Sequence, residues 1–115
     1  MIEVCNKSDF IISLSIKDED GITIPYTQMD WEVSYYTDPV FPYKIFCKDG
    51  ILSSNSEIVN DKVISRVNGF DFTFPGVVYK KVVISFNDSS FPDGKATICF
   101  NEEKVTNFKI LSNEC

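Results

Sequence analysis

The sequence predicts an all-β fold, a single antiparallel β-sandwich of about seven to nine short strands. Three observations lead there. The apolar residues are strand formers, with ten Phe, five Tyr and many Ile and Val against three Leu and one Ala. Apolar and polar side chains alternate with period two in one segment after another, as a strand with one buried face requires. Gly, Pro, Asp and Asn punctuate the chain at short intervals, and no segment has helical periodicity. A chain of 115 residues is one domain, able to bury roughly two-thirds of the surface its unfolded form exposes. The expected layout is a lead-in at 1–8, the sandwich at 9–111 and a tail at 112–115.

In chain order, Phe10, Ile12, Leu14 and Ile16 alternate with Ser13, Ser15 and Lys17, which gives the first strand a clean inner face. Asp18-Glu19-Asp20-Gly21 ends it as a hairpin turn. A calcium loop needs oxygen ligands at alternating positions over a longer span, and these acids are adjacent with nothing downstream to complete the set. Ile22-Thr23-Ile24-Pro25 is a short extended piece that Pro25 keeps at an edge or ends. Next, Trp31, Val33 and Tyr35 share one face of a strand, while Glu32, Ser34 and Tyr36 share the other. Asp38-Pro39 breaks it. The single Trp, on the inner face, reads as a core plug rather than a sugar platform.

Tyr43, Ile45 and Cys47 alternate with Lys44 and Lys48 in the following strand, which Asp49-Gly50 closes; Phe46 sits on the lysine side. The pattern weakens over 51–68. There Ser53-Ser54-Asn55-Ser56 is a loop, and residues 57–64 read as a strand with a turn at Asn60-Asp61. Phe70, Phe72 and Phe74 then alternate before Pro75-Gly76, in a strand or extended loop. Three phenylalanines in one row are buried either in the chain's own core or against a neighbouring subunit.

The clearest pattern is the hairpin over 77–100. Val82, Ile84 and Phe86 line one strand and Ala96, Ile98 and Phe100 the other. Between them, Pro92-Asp93-Gly94 has the turn chemistry of a loop: a fixed φ, an Asp tolerant of turn geometry and a Gly free to take positive φ. Asn101-Glu102-Glu103-Lys104 is a polar connection to a last strand over 105–111, with Phe108 and Ile110 inward.

Composition removes several functions. With 17 acids, 11 bases and a net charge of −6, the surface does not suit the displacement of phosphate counterions, so no nucleic-acid partner is expected. There is no His, which removes the commonest general base and metal ligand. No G-x-S-x-G, no Cys–His or Ser–His pair and no glycine-rich phosphate cradle is present. Paired carboxylates suited to glycoside hydrolysis are not evident either, because the candidate acids sit in turns. The expectation is a non-enzyme with no cofactor, no catalytic residues and no bound metal. Cys5, Cys47, Cys99 and Cys115 are scattered, and a zinc site without His would need all four. No apolar run reaches the ~18 residues of a membrane helix. The start, Met1-Ile2-Glu3-Val4-Cys5, lacks the basic and apolar regions of a signal peptide. The chain is therefore expected to be made and kept in a cytosol, with all four cysteines as thiols.

Three pieces taken together carry a resemblance: DFIISLSIKDEDGITIP, MDWEVSYYTD and FPGVVYKKVVISFNDSSFPDG followed by a final strand. In this order and spacing they resemble the small β-sandwich module of tailed-bacteriophage virion proteins. They are similar to the N-terminal domain of baseplate upper proteins and to head-fibre or tail attachment proteins of crAss-like phages. The matching positions are Asp30-Trp31 through Tyr36-Thr37, Pro75-Gly76, and Phe91 to Gly94, and the likeness runs over about 9–111. It implies a structural role in the virion after synthesis in the bacterial host cytoplasm. That role is an oligomerising adaptor, dimer or trimer, that docks other virion proteins of capsid or tail, with no membrane partner. No helical stalk or distal receptor domain follows Ile110, so a stand-alone attachment piece is expected. The interface candidates are Phe46, Phe70, Phe72, Phe74 and Tyr36. The competing expectation is a carbohydrate-binding module for host surface glycan, using Tyr26, Trp31, Tyr35 and Tyr36 as stacking platforms.

Overall fold

The computed structural model describes residues 2–17, 20–69, 71–72, 74–87 and 89–114. Among them there is no helix. Nine strands follow in order: β1 (Ile2–Asn6), β2 (Phe10–Leu14), β3 (Asp30–Tyr36), β4 (Tyr43–Lys48), β5 (Ile51–Leu52), β6 (Ser56–Val59), β7 (Lys62–Val67), β8 (Gly76–Asn87) and β9 (Lys95–Glu114). They form a six-stranded sheet in the order β1-β9-β8-β3-β4-β5 and a three-stranded sheet in the order β2-β7-β6. The fold is all-β, and the two sheets share one hydrophobic core.

Strand β3 shows how alternation places the core. Trp31 stands opposite Cys47 on one side and Ile84 on the other, and Val33 stands opposite Ile45 and Val82. Trp31, Val33 and Tyr35 are buried, while Asp30, Glu32 and Ser34 are turned toward solvent. The smaller sheet answers with Ile12 and Leu14 from β2 and Val63 and Val67 from β7, all in the same cluster. Each such side chain, fully buried, contributes about 1.5–3 kcal/mol of transfer free energy. Tyr26 fastens the connection into β3. Its hydroxyl donates to the Asp61 carbonyl at 2.9 Å and accepts from the Ile16 amide at 3.2 Å. The Trp31 indole N–H donates to the Tyr26 carbonyl at 2.9 Å.

The turns follow their chemistry. Asp49 and Gly50 take φ of 53° and 81°, the paired positive values of a tight hairpin whose twist matches its strands. Asn60 takes φ 55° between β6 and β7, and Gly94, at φ 75°, donates its amide to the Phe91 carbonyl at 2.9 Å. Lys17 bridges Thr23 across the acidic turn, of which residues 18 and 19 lie outside the described set.

Three expectations are corrected. The lead-in is a strand: β1 runs parallel to the end of β9, with Val4 opposite Ile110 and Asn6 opposite Glu114, so the larger sheet is mixed rather than purely antiparallel. Residues 112–114 accordingly belong to β9 and are not a tail. The polar run at 101–104 does not end a strand. Between the Lys80–Lys104 and Val82–Phe100 pairs, β8 advances two residues while β9 advances four, and the extra length is taken up as a bulge. A second irregularity separates Tyr79–Val105 from Val77–Lys109. β9 is thus one strand of 20 residues.

Candidate interaction surfaces

The chain leaves β3 at Thr37 and returns in β4 at Tyr43 through Asp38-Pro39-Val40-Phe41-Pro42. Asp38 builds this loop. Its carboxylate accepts the Val40 amide at 2.9 Å, and its carbonyl accepts the Phe41 amide at 3.0 Å, with Pro39 pre-set at the second turn position. The turn points its own apolar residues outward, so Val40 is 73% and Phe41 55% exposed. The connection before β8 comes to meet it. The Thr37 hydroxyl donates to the Phe74 carbonyl at 2.8 Å, and the Phe41 and Phe74 rings lie 5.8 Å apart, with Phe74 45% exposed. Two loops thus join in one apolar tip at this end of the larger sheet.

A second surface is the outer face of that sheet. Phe46 is 39% exposed and stands opposite Glu32, which stands opposite Val83 on β8. An open groove of about 340 Å³ runs over these residues past Asp30, Lys48 and Ser85. The Lys44 ammonium holds the Glu32 carboxylate at 3.2 Å, and Asp30 accepts the Asp49 amide at 3.0 Å. Ile51, opposite Lys48, extends the apolar edge.

Of the interface candidates, Phe46 and Phe74 are therefore at the surface, on separate patches. Phe72 and Tyr36 are corrected. Phe72 is 4% exposed, its ring 5.8 Å from Phe10 and 6.0 Å from Tyr43 inside the chain's own core. Tyr36 is 3% exposed and stacks on Tyr79, directly opposite on β8. Phe70 lies outside the described residues. Phe72 and Phe74 do not share a strand face: the chain bends at Asp71 and at Phe74, and the first ring is buried while the second is exposed. The stacking platforms of the glycan expectation fare likewise: Tyr26, Trp31, Tyr35 and Tyr36 are all buried and offer no ring face to a sugar. Val40 and Phe41 were missed. The signal was an apolar pair between two prolines, inside a turn that Asp38 closes.

The polar interior also escaped the sequence. Tyr43 Oη and Ser65 Oγ lie 2.7 Å apart, Ser56 donates to Ser65 at 3.0 Å, and Ser53 lies 3.1 Å from Ser56. This file of hydroxyls links β4 of one sheet to β6 and β7 of the other. It contains no base. Burial pushes the Tyr43 phenol above its ordinary value and the Asp71 charge adds to that, while the Ser65 hydrogen bond partly opposes it. The arrangement is a clasp between sheets rather than a nucleophile. Burial likewise raises the Cys47 thiol, with Asp30 and Asp49 reinforcing the effect and a Gly50 backbone hydrogen bond opposing it. Cys47 is free and buried, a protonated core side chain. Cys5, however, is disulfide-bonded, which corrects the expectation of four thiols.

Among the described residues no group of three His, Cys, Asp or Glu side chains is placed to hold a metal ion. Nor, among the described residues, is any helix long and apolar enough to cross a membrane. Compared with known proteins, the chain matches no family model, no curated protein and no solved structure.

Proposed function

We propose that this chain is a non-enzymatic structural module of a bacteriophage virion. In this reading it is an oligomerising adaptor, or a head-fibre or tail attachment piece, whose partners are copies of itself and other virion chains. The observation that carries the binding part is the tip made by Val40, Phe41 and Phe74. It is a joined apolar surface, held outward by a hydrogen-bonded turn, on a chain whose core is already filled by other aromatics. Contiguous exposed apolar surface of this kind marks protein contacts, and aromatic residues are the usual anchors of such interfaces. The virion part is supported by the sequence resemblance alone. The glycan reading is left without its platforms and is not pursued.

The test is association. Light scattering on the purified chain is expected to give a defined dimer or trimer, or co-sedimentation with capsid or tail proteins is expected from infected cells. Phe41→Ser with Phe74→Ser should abolish that association while leaving the thermal unfolding profile in place. A chain that remains monomeric and co-sediments with no particle would overturn the proposal.

A further inference from the structure

We propose that the free edge of β2 is a strand-acceptor site, which takes an extended, uncharged segment of another polypeptide as a fourth strand of the smaller sheet. The proposal goes beyond the association assigned to the tip and uses none of its residues. Register decides which backbone groups are on offer. The Arg66 amide donates to the Asn55 carbonyl at 2.8 Å, on the β6 side of β7. Direction alternates along an antiparallel strand, so Val63, Ser65 and Val67 aim their N–H and C=O groups at β2. These three stand opposite Leu14, Ile12 and Phe10, whose backbone groups are thereby taken. The N–H and C=O groups of Ile11 and Ser13 point the other way. Among the described residues nothing bonds them, because β2 has β7 as its one neighbour in the sheet.

The other edges of the two sheets are blunted and this one is not. β1 carries Glu3 and a register irregularity, β5 has two residues, and β6 has four with Glu57 among them. β2, Phe-Ile-Ile-Ser-Leu, has no charge, no proline and no shift of register. Charge, proline, irregularity and brevity are the devices that keep edges from pairing. An edge without them, with the Ile11 side chain exposed on it, suits main-chain hydrogen bonding to an added strand.

The larger sheet decides what kind of strand fits. β4 meets β7 through Tyr43 and Ser65, and β2 meets β9 through the Phe10 and Phe108 rings, 5.6 Å apart. The free edge of β2 therefore looks toward β1, one strand further out in the larger sheet. There Ile2 stands opposite Phe108 in a parallel pair and turns the same way, toward the smaller sheet, yet it is 49% exposed. A fourth strand beside β2 would lie over it. A second copy's β2 does not fit, since it would arrive backed by its own larger sheet and set β1 against β1. The occupant is a lone extended segment, with apolar residues at alternate positions to face Ile2.

The experiment uses the full chain and a synthetic peptide, FIISL flanked by two lysines at each end, with amide hydrogen exchange resolved by NMR. The Ile11 and Ser13 amides are expected to exchange freely in the chain alone and to be protected by about tenfold or more when peptide is added. Methylating the peptide amides that correspond to Ile11 and Ser13 should abolish the protection, and methylating those of Ile12 and Leu14 should preserve it. Ile11→Pro, which removes an N–H that the fold does not use, should weaken peptide binding by about tenfold or more. Phe41→Ser with Phe74→Ser should leave that binding unchanged, which separates this edge from the tip. No protection at about 1 mM peptide, or equal protection by the two methylated peptides, would overturn the proposal. So would protection in the chain alone that rises with its concentration, because a second copy would then be the occupant.

Discussion

Replacing Gly69 by Ala should be among the most damaging single-methyl changes this chain can receive. The residue lies just beyond β7, where the backbone passes against the junction between β1 and β2. A Cβ built on it would stand 2.0 Å from the Lys7 carbonyl oxygen, 2.3 Å from its carbon and 2.9 Å from its Cα. No side chain can swing aside, because the obstacle is main chain. Nor is that main chain slack: Lys7 is held at φ 62°, and the Gly69 amide donates to the Asp9 carboxylate at 2.7 Å. Making room must separate the two segments and loosen that hydrogen bond. Overpacking costs about 1–3 kcal/mol, and a hydrogen bond to a charged group contributes about 1.5–3 kcal/mol. The sum, about 2.5–6 kcal/mol, is a large share of the 5–15 kcal/mol typical of a domain. At about 4 °C per kcal/mol for a chain of this size, Tm should fall by roughly 10–24 °C. Thermal and urea unfolding followed by far-ultraviolet circular dichroism would measure this, with Asp9→Asn, expected to cost about 1 kcal/mol, isolating the charge on the hydrogen bond. A Gly69→Ala protein whose Tm lies within roughly 4 °C of the natural one would refute the steric argument.

The remaining predictions concern burial and protonation. Phe72→Ala should destabilise by about 3–5 kcal/mol in urea titrations, while Phe74→Ser, at the exposed tip, should stay within about 1 kcal/mol; similar costs would mean that Phe72 does not pack in the core. Ser65→Val leaves Tyr43 and Ser56 without a shared partner and should cost about 1–3 kcal/mol, and a thermal shift near zero would show the hydroxyl file to be idle. The folded chain should also lose stability in alkali. Tyr35, Tyr43 and Cys47 all hold their protons more tightly when folded, because burial penalises the anion. Below their ordinary values both states keep these protons. From about pH 9 for the thiol and about pH 10 for the phenols, the unfolded chain releases protons that the folded chain retains, so stability falls as pH rises. Urea midpoints should be level from about pH 7 to 8.5 and then decline, and a midpoint still level near pH 11 would contradict the assignment.

Much of this molecule could be read residue by residue. The inward rows Trp31-Val33-Tyr35 and Tyr43-Ile45-Cys47, the turns at Gly21, Asp49-Gly50 and Gly94, and the hairpin of β8 and β9 all follow from alternation and turn chemistry. These are local properties, set by the two-residue period of a strand and the φ that a turn imposes. What the chain could not reveal in one dimension depends on which segments meet. Five residues at the start look like a lead-in until the end of β9 lies beside them, because a parallel edge strand obtains its hydrogen bonds from a distant partner. Asn101-Glu102-Glu103-Lys104 looks like a loop until β8 holds the strand through a bulge. Phe72 and Phe74 have the same spacing as a strand face, yet one fills the core and the other joins Phe41 at the surface. Gly69 passes for an ordinary turn glycine, and its necessity exists only because Lys7 crosses above it. Periodicity tells a side chain which way to face relative to its neighbours in sequence; whether that direction holds protein or water is decided by segments tens of residues away, through packing that no local pattern encodes.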